Sequence, residues 1–344
     1  MELSERKKAI LGAIIKTYIA TGEPIGSKIL CDILDNAPSS ATLRNEMSAL
    51  VQMGYLEQPH TSAGRVPTSS GYRFYIDSLM PKAVISDEER AAIDKALNAT
   101  GCDPERLPEK AAEILSEITG LPTISANISN GGPQLKRVDI LPMGSRSGMI
   151  IIITSDGRSR SRLCHTPYPL TGELISRFEK LVRERILKMN IDDLTPALMQ
   201  GIFAASGSDA LYLMPLLSSL FEMIADIRDR GVSMAGQANL FNMFRQKSDA
   251  DKVIALINRP DALLSVLSGG NSPLEIVFGK DTGYSALEPS SLIIAKYGTG
   301  GKTEGCIGII GPTRMSYEQI IPSIEYTAER LGELLGEALK DMEE

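Results

Sequence analysis

Over the first eighty residues, apolar positions recur at helical spacing in three short bursts and then stop. Ile10, Leu11, Ile14, Tyr18 and Ile19 fall on one face of a helix that Ser4 can cap and that Gly22 and Pro24 end. A shorter helix is predicted over about residues 27–34, followed by the turn-forming run Asp35-Asn36-Ala37-Pro38. Ser39 then caps a third helix to about Met53, whose inward face is Leu43, Met47, Leu50 and Val51. Residues 55–58 read as a short strand, 59–64 as a loop and 65–67 as its return. Thr68 opens a fourth helix that presents Tyr72, Tyr75, Ile76 and Leu79. Three helices, a tight hairpin and a further helix predict a winged helix-turn-helix over residues 1–80.

Behind Pro81 the chain reads as a helical connector over residues 81–104, with breaks at Gly101-Cys102-Asp103-Pro104 and at Leu107-Pro108. From Leu121 the period changes to that of strands, at 123–129, 136–141, 149–154 and 159–165, and Asp156-Gly157 marks a hairpin between the last two. A helix is predicted over 173–189. Residues 192–259 are again mainly helical, with Pro215 just inside one start and Gly231 beyond its end. The stripe Leu217, Leu220, Phe221, Ile224 and Ile227 suits either a core or the apolar patch that a dimer needs. Strands return at 274–278, 292–297 and 306–310. Ser316 and Gln319 then have capping-box spacing ahead of a terminal helix, which Pro322 bends or restarts and which carries the seam Ile324, Ala328, Leu331, Leu335, Ala338 and Met342. The simplest organisation is an α+β multidomain protein. An α/β domain in two parts, 105–191 and 263–344, is split by a mainly helical insertion at 192–262.

Charge refines that picture. The net charge is -7, from 36 basic and 43 acidic residues, which argues against a non-specific nucleic-acid coat. Residues 1–80 carry eight bases and eight acids, so this segment is neutral and the acidity lies behind it, where it weakens non-specific attraction to phosphates. The longest apolar run, residues 149–153, is strand-sized, so no membrane span is expected. The N-terminus lacks the apolar core of a signal peptide, and a cytoplasmic protein is expected. Four scattered cysteines lack metal-ligand spacing, and His60 and His165 are the only histidines; reduced thiols, no metal, no cofactor and no catalytic set are the reading. Gly300-Gly301-Lys302-Thr303 has Lys296 where a phosphate-binding loop needs its first glycine, and is read as a hairpin turn. Cys164 and His165 read as an ordinary strand-end pair.

The chemistry sits on the third helix. In a helix-turn-helix this helix lies in the major groove. Here Ala41, Thr42, Arg44, Asn45, Ser48 and Gln52 point away from the apolar stripe, with Ser39 at the helix opening. Arg matches guanine O6 and N7, Asn matches adenine, and Ser or Thr serve bases or phosphate. Ser27 and Lys28 start the second helix, where a phosphate is favoured. His60, Thr61, Ser62, Gly64 and Arg65 form a polar wing whose arginine suits a minor groove or a phosphate.

Longer strings carry a resemblance. Pro24-Ile25-Gly26-Ser27-Lys28, then Ser40-Ala41-Thr42-Leu43-Arg44-Asn45-Glu46-Met47, then the run from Gly54-Tyr55-Leu56 through Gly64-Arg65-Val66-Pro67, closely resemble the heat-inducible transcription repressor family HrcA. Gly71-Tyr72-Arg73, Ala238-Asn239-Leu240-Phe241 and the run from Gly308 to Tyr317 continue the match toward the other terminus. The resemblance implies a winged helix, a GAF-like domain and a dimerising domain inserted into it. It further implies binding of a homodimer to the inverted-repeat double-stranded operator called CIRCE upstream of chaperone operons, and the GroE chaperonin as the partner that keeps the repressor competent. The other function left open is a ligand-responsive transcription factor that senses a small molecule through the GAF-like domain.

Overall fold

Ser4 accepts a hydrogen bond from the Lys7 amide, and Gly22, at φ 69°, donates its own amide to the Tyr18 carbonyl, so α1 (Glu5–Thr21) begins and ends at its caps. The structure is a computed structural model that describes residues 3–34, 38–60, 63–128, 132–228, 232–243, 247–257, 259–270, 272–299 and 302–341. After α1 come α2 (Ser27–Ile33), α3 (Ser40–Gln52), the hairpin β1 (Leu56–Glu57) and β2 (Val66–Pro67), and α4 (Ser69–Phe74), which Thr68 caps and which runs into a π-helical turn, Tyr75–Leu79. The predicted winged helix-turn-helix is observed.

Next come α5 (Asp87–Asn98), α6 (Arg106–Thr119), β3 (Thr123–Asn127), β4 (Leu135–Gly144), β5 (Ser147–Thr154), β6 (Ser159–His165), α7 (Gly172–Arg185), α8 (Pro196–Ala205) and α9 (Ala210–Arg228). They are followed by β7 (Val232–Ala235), α10 (Asn239–Met243), α11 (Lys247–Ile257), α12 (Pro260–Leu267), β8 (Leu274–Phe278), β9 (Ser290–Thr299), β10 (Lys302–Pro312) and α13 (Tyr317–Asp341). The break expected at Leu107-Pro108 is not found. Pro108 lies in the first turn of α6, where its missing N–H has no intrahelical partner to lose. Pro322 likewise lies within the continuous α13. Gly157, at φ 81°, takes the left-handed position of the β5–β6 turn.

Beyond the β1–β2 hairpin, the strands sort into two sheets in a way that periodicity does not reveal. Five antiparallel strands form the main sheet in the order β7-β3-β10-β9-β8. Strands β4, β5 and β6, expected in the first part of this α/β domain, form their own three-stranded sheet. They share a core with α7, α8 and α9: Ile150, Ile152, Phe178, Val182, Ile202, Leu217 and Ile224 are all buried in one cluster. Residues 135–228 therefore hold a sheet and a core of their own, whereas the sequence predicts the helical insertion over 192–262. Residues 232–262, expected inside that insertion, belong with the main sheet as its edge strand and covering helices, the last of which runs on to Leu267. Alternation of polar and apolar residues marks a strand but not its sheet, and β7 is only four residues long. Leu217, Leu220, Phe221, Ile224 and Ile227 are buried, so the stripe on α9 is core. This helix is long and apolar enough to cross a membrane, yet its apolar face packs within the insertion.

Both faces of the main sheet are covered, which explains the unbroken apolar run in β9. Leu292 and Ile294 face a cluster with Val253, Leu263 and Leu267 of α11 and α12. Ile293, Ala295 and Tyr297 face a second cluster with Leu107, Leu115, Ile324 and Leu331 of α6 and α13. Gly300 and Gly301 lie outside the described residues, and Thr299 pairs with Lys302 across the hairpin predicted there.

The N-terminal head is docked on this domain. Leu11, Leu50, Tyr72 and Tyr75 belong to the same buried cluster as Phe278, Tyr317 and Leu331. Tyr72 stacks on Phe278 with ring centroids 5.9 Å apart and tilts against Tyr317 at 5.8 Å. Polar ties surround the rings: Arg73 to Asp281 at 2.8 Å, Lys16 to Glu318 at 3.3 Å, and the Tyr75 hydroxyl to the Glu318 carboxylate.

Candidate nucleic-acid interface

Helix α3 is held by its buried face, Leu43, Met47 and Leu50, against the other helices of the head. Its opposite face is left to solvent. Ala41, Arg44, Asn45 and Gln52 are exposed, and Thr42 and Ser48 are half-buried. Among the described residues, neither the Arg44 nor the Asn45 side chain makes a hydrogen bond or ion pair within the chain. These two adjacent side chains present a five-donor fork and a donor–acceptor amide, the pair best suited to reading guanine and adenine edges.

Other predicted contacts are partly engaged by the protein. Ser39 caps α3, accepting from the Thr42 amide at 3.3 Å, and its hydroxyl pairs with the Thr42 hydroxyl at 3.0 Å. Ser48 donates back to the Arg44 carbonyl at 2.9 Å. The Ser27 side chain is nearly buried and pairs with the Ser40 hydroxyl at 2.9 Å, fixing the start of α2 against the start of α3. Lys28, beside it, is exposed at the helix opening.

The wing is anchored at its base. The Ile25 amide donates to the Arg65 carbonyl at 3.0 Å, and the Arg65 amide to the Ile25 carbonyl at 2.8 Å, adding a bridge from the α1–α2 turn to the hairpin. Gly64 makes this approach possible: a Cβ there would lie 2.5 Å from the Ile25 backbone. Gly64 is thus a packing glycine at the base. The Arg65 guanidinium is half-buried, with one nitrogen donating to the Ala63 carbonyl at 3.4 Å. Gln58 closes the loop by donating to the same carbonyl at 3.2 Å. His60 is exposed, while Thr61 and Ser62 lie outside the described residues. Arg44, Asn45 and Lys28 are thus exposed, while Ser27, Ser39 and Gly64 are engaged within the head.

One pairing had no signal in the sequence. Lys7 of α1 bridges Glu46 of α3 at 2.8 Å, with both side chains largely shielded. The pair cancels the one acid within α3, a charge that would otherwise repel phosphate. The residues between them carry no pattern that would join them.

Burial raises the pKa of Tyr72 and Tyr317 above the usual phenol range, and burial followed by the Glu318 carboxylate does so for Tyr75. All three stay protonated, as a docking surface and not a titrating one.

Residues 2–78 match the family model "Winged helix-turn-helix transcription repressor, HrcA DNA-binding", and residues 105–321 match "HrcA protein C terminal domain". The chain is 31% identical over 335 residues to a heat-inducible transcription repressor HrcA of Brevibacillus brevis, covering 97% of this chain and 98% of that one. It is 32% identical over 338 residues to the protein of the same name in Acetivibrio thermocellus, covering 97% and 96%. A crystal structure titled only as a hypothetical protein shares the fold, with a TM-score of 0.68 and 23% identity over 98% of this chain and all of that one. The exposed recognition helix and the two family matches lead to one conclusion: the chain belongs to the HrcA family of heat-inducible transcription repressors, DNA-binding winged-helix proteins that act negatively on heat-shock transcription.

Proposed function

We propose that this repressor acts on class I chaperone operons, binds an inverted-repeat CIRCE operator as a homodimer, and is kept active by the GroE chaperonin. The observation that carries the reading is the free face of α3, where Arg44 and Asn45 stand uncommitted beside the exposed Ala41. Thr42, Ser48 and the cap Ser39 complete the groove-facing row. Lys28 at the α2 opening and the wing residues His60, Thr61, Ser62 and Arg65 frame the phosphates on either side, with Ser27 and Gly64 holding those two segments in place. The main sheet with helices on both faces supports the GAF-like assignment.

Two-fold symmetry in the operator calls for two-fold symmetry in the protein. The insertion offers a face for it. Leu141, Met149 and Leu163 lie in register across β4, β5 and β6 on the side away from the insertion's core. Leu141 is 48% exposed, Leu163 56%, and nearby Met143 60%. An apolar row of this kind suits a second copy of the same sheet, and its exposure in a single chain suits recognition by a chaperonin. The deciding experiment is fluorescence anisotropy of the purified full-length protein, with chaperonin supplied, on the palindromic sequence and on a scrambled duplex of equal length. A preference of about a thousandfold or more at physiological salt is expected for a specific site. Equal binding to both sequences would end the proposal.

A further inference from the structure

The insertion meets the main sheet domain around a cavity of about 370 Å³, within the range of small-molecule sites. Three units wall it: the opening of α6, the β5–β6 turn of the insertion, and β3 and β7 of the sheet, with the end of α13 beneath. Its floor is apolar, from Ala126, Val232, Leu335 and Leu339.

Its polar wall is rich in donors. Arg158 commits Nε to Asp156 at 2.8 Å and Nη1 to the Ile227 carbonyl at 2.6 Å. Arg160 commits Nη1 to Glu105 and to the Ser159 carbonyl, both at 2.6 Å. Each guanidinium carries five N–H groups, so donors on both remain. Arg106, at the rim, has no side-chain partner among the described residues. Among the acceptors, Asp156 takes hydrogen bonds from Arg158, Asn127 and Thr154, and Glu105 takes one from Arg160, while Glu109 at the rim has no side-chain partner among the described residues. With Asp156 and Glu105 engaged, the uncommitted N–H groups of Arg158 and Arg160 stand in the lining above an apolar floor, an arrangement that suits a carboxylate or phosphate group attached to an apolar body.

We propose that this junction cavity binds a small organic oxyanion, its charged end on Arg106, Arg158 and Arg160 and its apolar body against Leu335 and Leu339. Because the walls belong to both the insertion and the sheet domain, an occupant bridges the two. The proposal stands apart from the identity of the operator, since neither the recognition helix nor the apolar row on the insertion takes part.

The test is ligand-observed fluorine NMR on the full-length protein with three probes: para-fluorophenylacetate, para-fluorophenyl phosphate and the neutral para-fluorophenylacetamide. Saturable broadening of at least one anion is expected, with the amide about tenfold weaker or more; the ranking of the two anions separates a carboxylate from a phosphate ligand. Arg106→Ala, at an exposed position, should weaken the anion by about tenfold. Leu339→Trp, near the end of the last helix, should fill the apolar end and abolish binding. Arg183→Ala, an exposed arginine on α7 of the insertion that does not line the cavity, should leave binding unchanged. No saturable binding of either anion, equal binding of the amide, or indifference to both cavity substitutions would overturn the proposal.

Discussion

Tyr75, in the π-helical turn that ends the DNA-binding head, donates its phenolic hydrogen bond to the carboxylate of Glu318, at the start of the terminal helix. Glu318 also meets Lys16 of α1 at 3.3 Å, so one carboxylate gathers two head residues onto the sheet domain. Tyr75→Phe keeps the ring and removes the donor. A loss of about 1–2 kcal/mol in urea unfolding is expected, since the acceptor is charged and the bond half-buried. Unchanged stability would mean that the aromatic packing of Tyr72 holds the head unaided.

Arg44→Ala is expected to remove discrimination at one base position, by about 1–3 kcal/mol, if the guanidinium grips a guanine edge. A binding series over single-base operator variants measures it. Weakening that is uniform over every variant would assign Arg44 to phosphate.

Gly64→Ala puts a methyl group 2.5 Å from the Ile25 backbone, where neither partner is a flexible side chain. The wing must lift from the α1–α2 turn, at an expected cost of about 1–3 kcal/mol. Gly54→Ala is the control for a head glycine with open space around it, its cost arising from its φ of 80° alone. Thermal melts of the two variants and their operator affinities should differ, with Gly64→Ala losing more affinity. Equal affinities would separate wing position from binding.

Leu163→Lys places a charge in the middle of the apolar row on the insertion's outer sheet face. If two copies meet there, the variant should run as a monomer in light scattering at micromolar concentration while keeping the parent's far-ultraviolet circular dichroism, because Leu163 is 56% exposed in a single chain. A dimer that survives the substitution would move the interface elsewhere.

Burial pushes the Cys306 thiol up to about 12. The unfolded chain releases this proton near the ordinary thiol value of about 8.5, so above that pH the folded state holds more protons than the unfolded one. Stability contributed by the group is complete below about pH 8.5 and falls as pH rises toward 12, with a limiting slope of about 1.4 kcal/mol per pH unit. Unfolding free energies at pH 8, 9 and 10 for the parent and Cys306→Ala should diverge in slope by up to one proton. Parallel lines would show that the thiol titrates alike in both states.

Much of the head was legible because its signals are local. Ser4, Ser39 and Thr68 each sit at an observed helix cap, and Gly22 takes the left-handed turn that ends α1. The free face of α3 followed from its apolar spacing. What stayed hidden was pairing at a distance. Val232-Ser233-Met234-Ala235 is too short to announce a strand, yet it closes one edge of the main sheet, and nothing in residues 135–165 says that they turn away from it. The same limit applies at the site. Ser27 looks like a phosphate ligand from its place at a helix start, and only the fold shows that Ser40 already holds its hydroxyl.

Leu11 of the first helix and Leu331 of the last belong to one uninterrupted hydrophobic cluster. Warming therefore cannot loosen the reading head while its platform stays folded, because opening either side exposes apolar surface on both. Grip on the operator should vanish over a narrow span of temperature, in step with the platform, and not fade by gradual fraying. A molecule built this way behaves as a fuse: it is intact or blown.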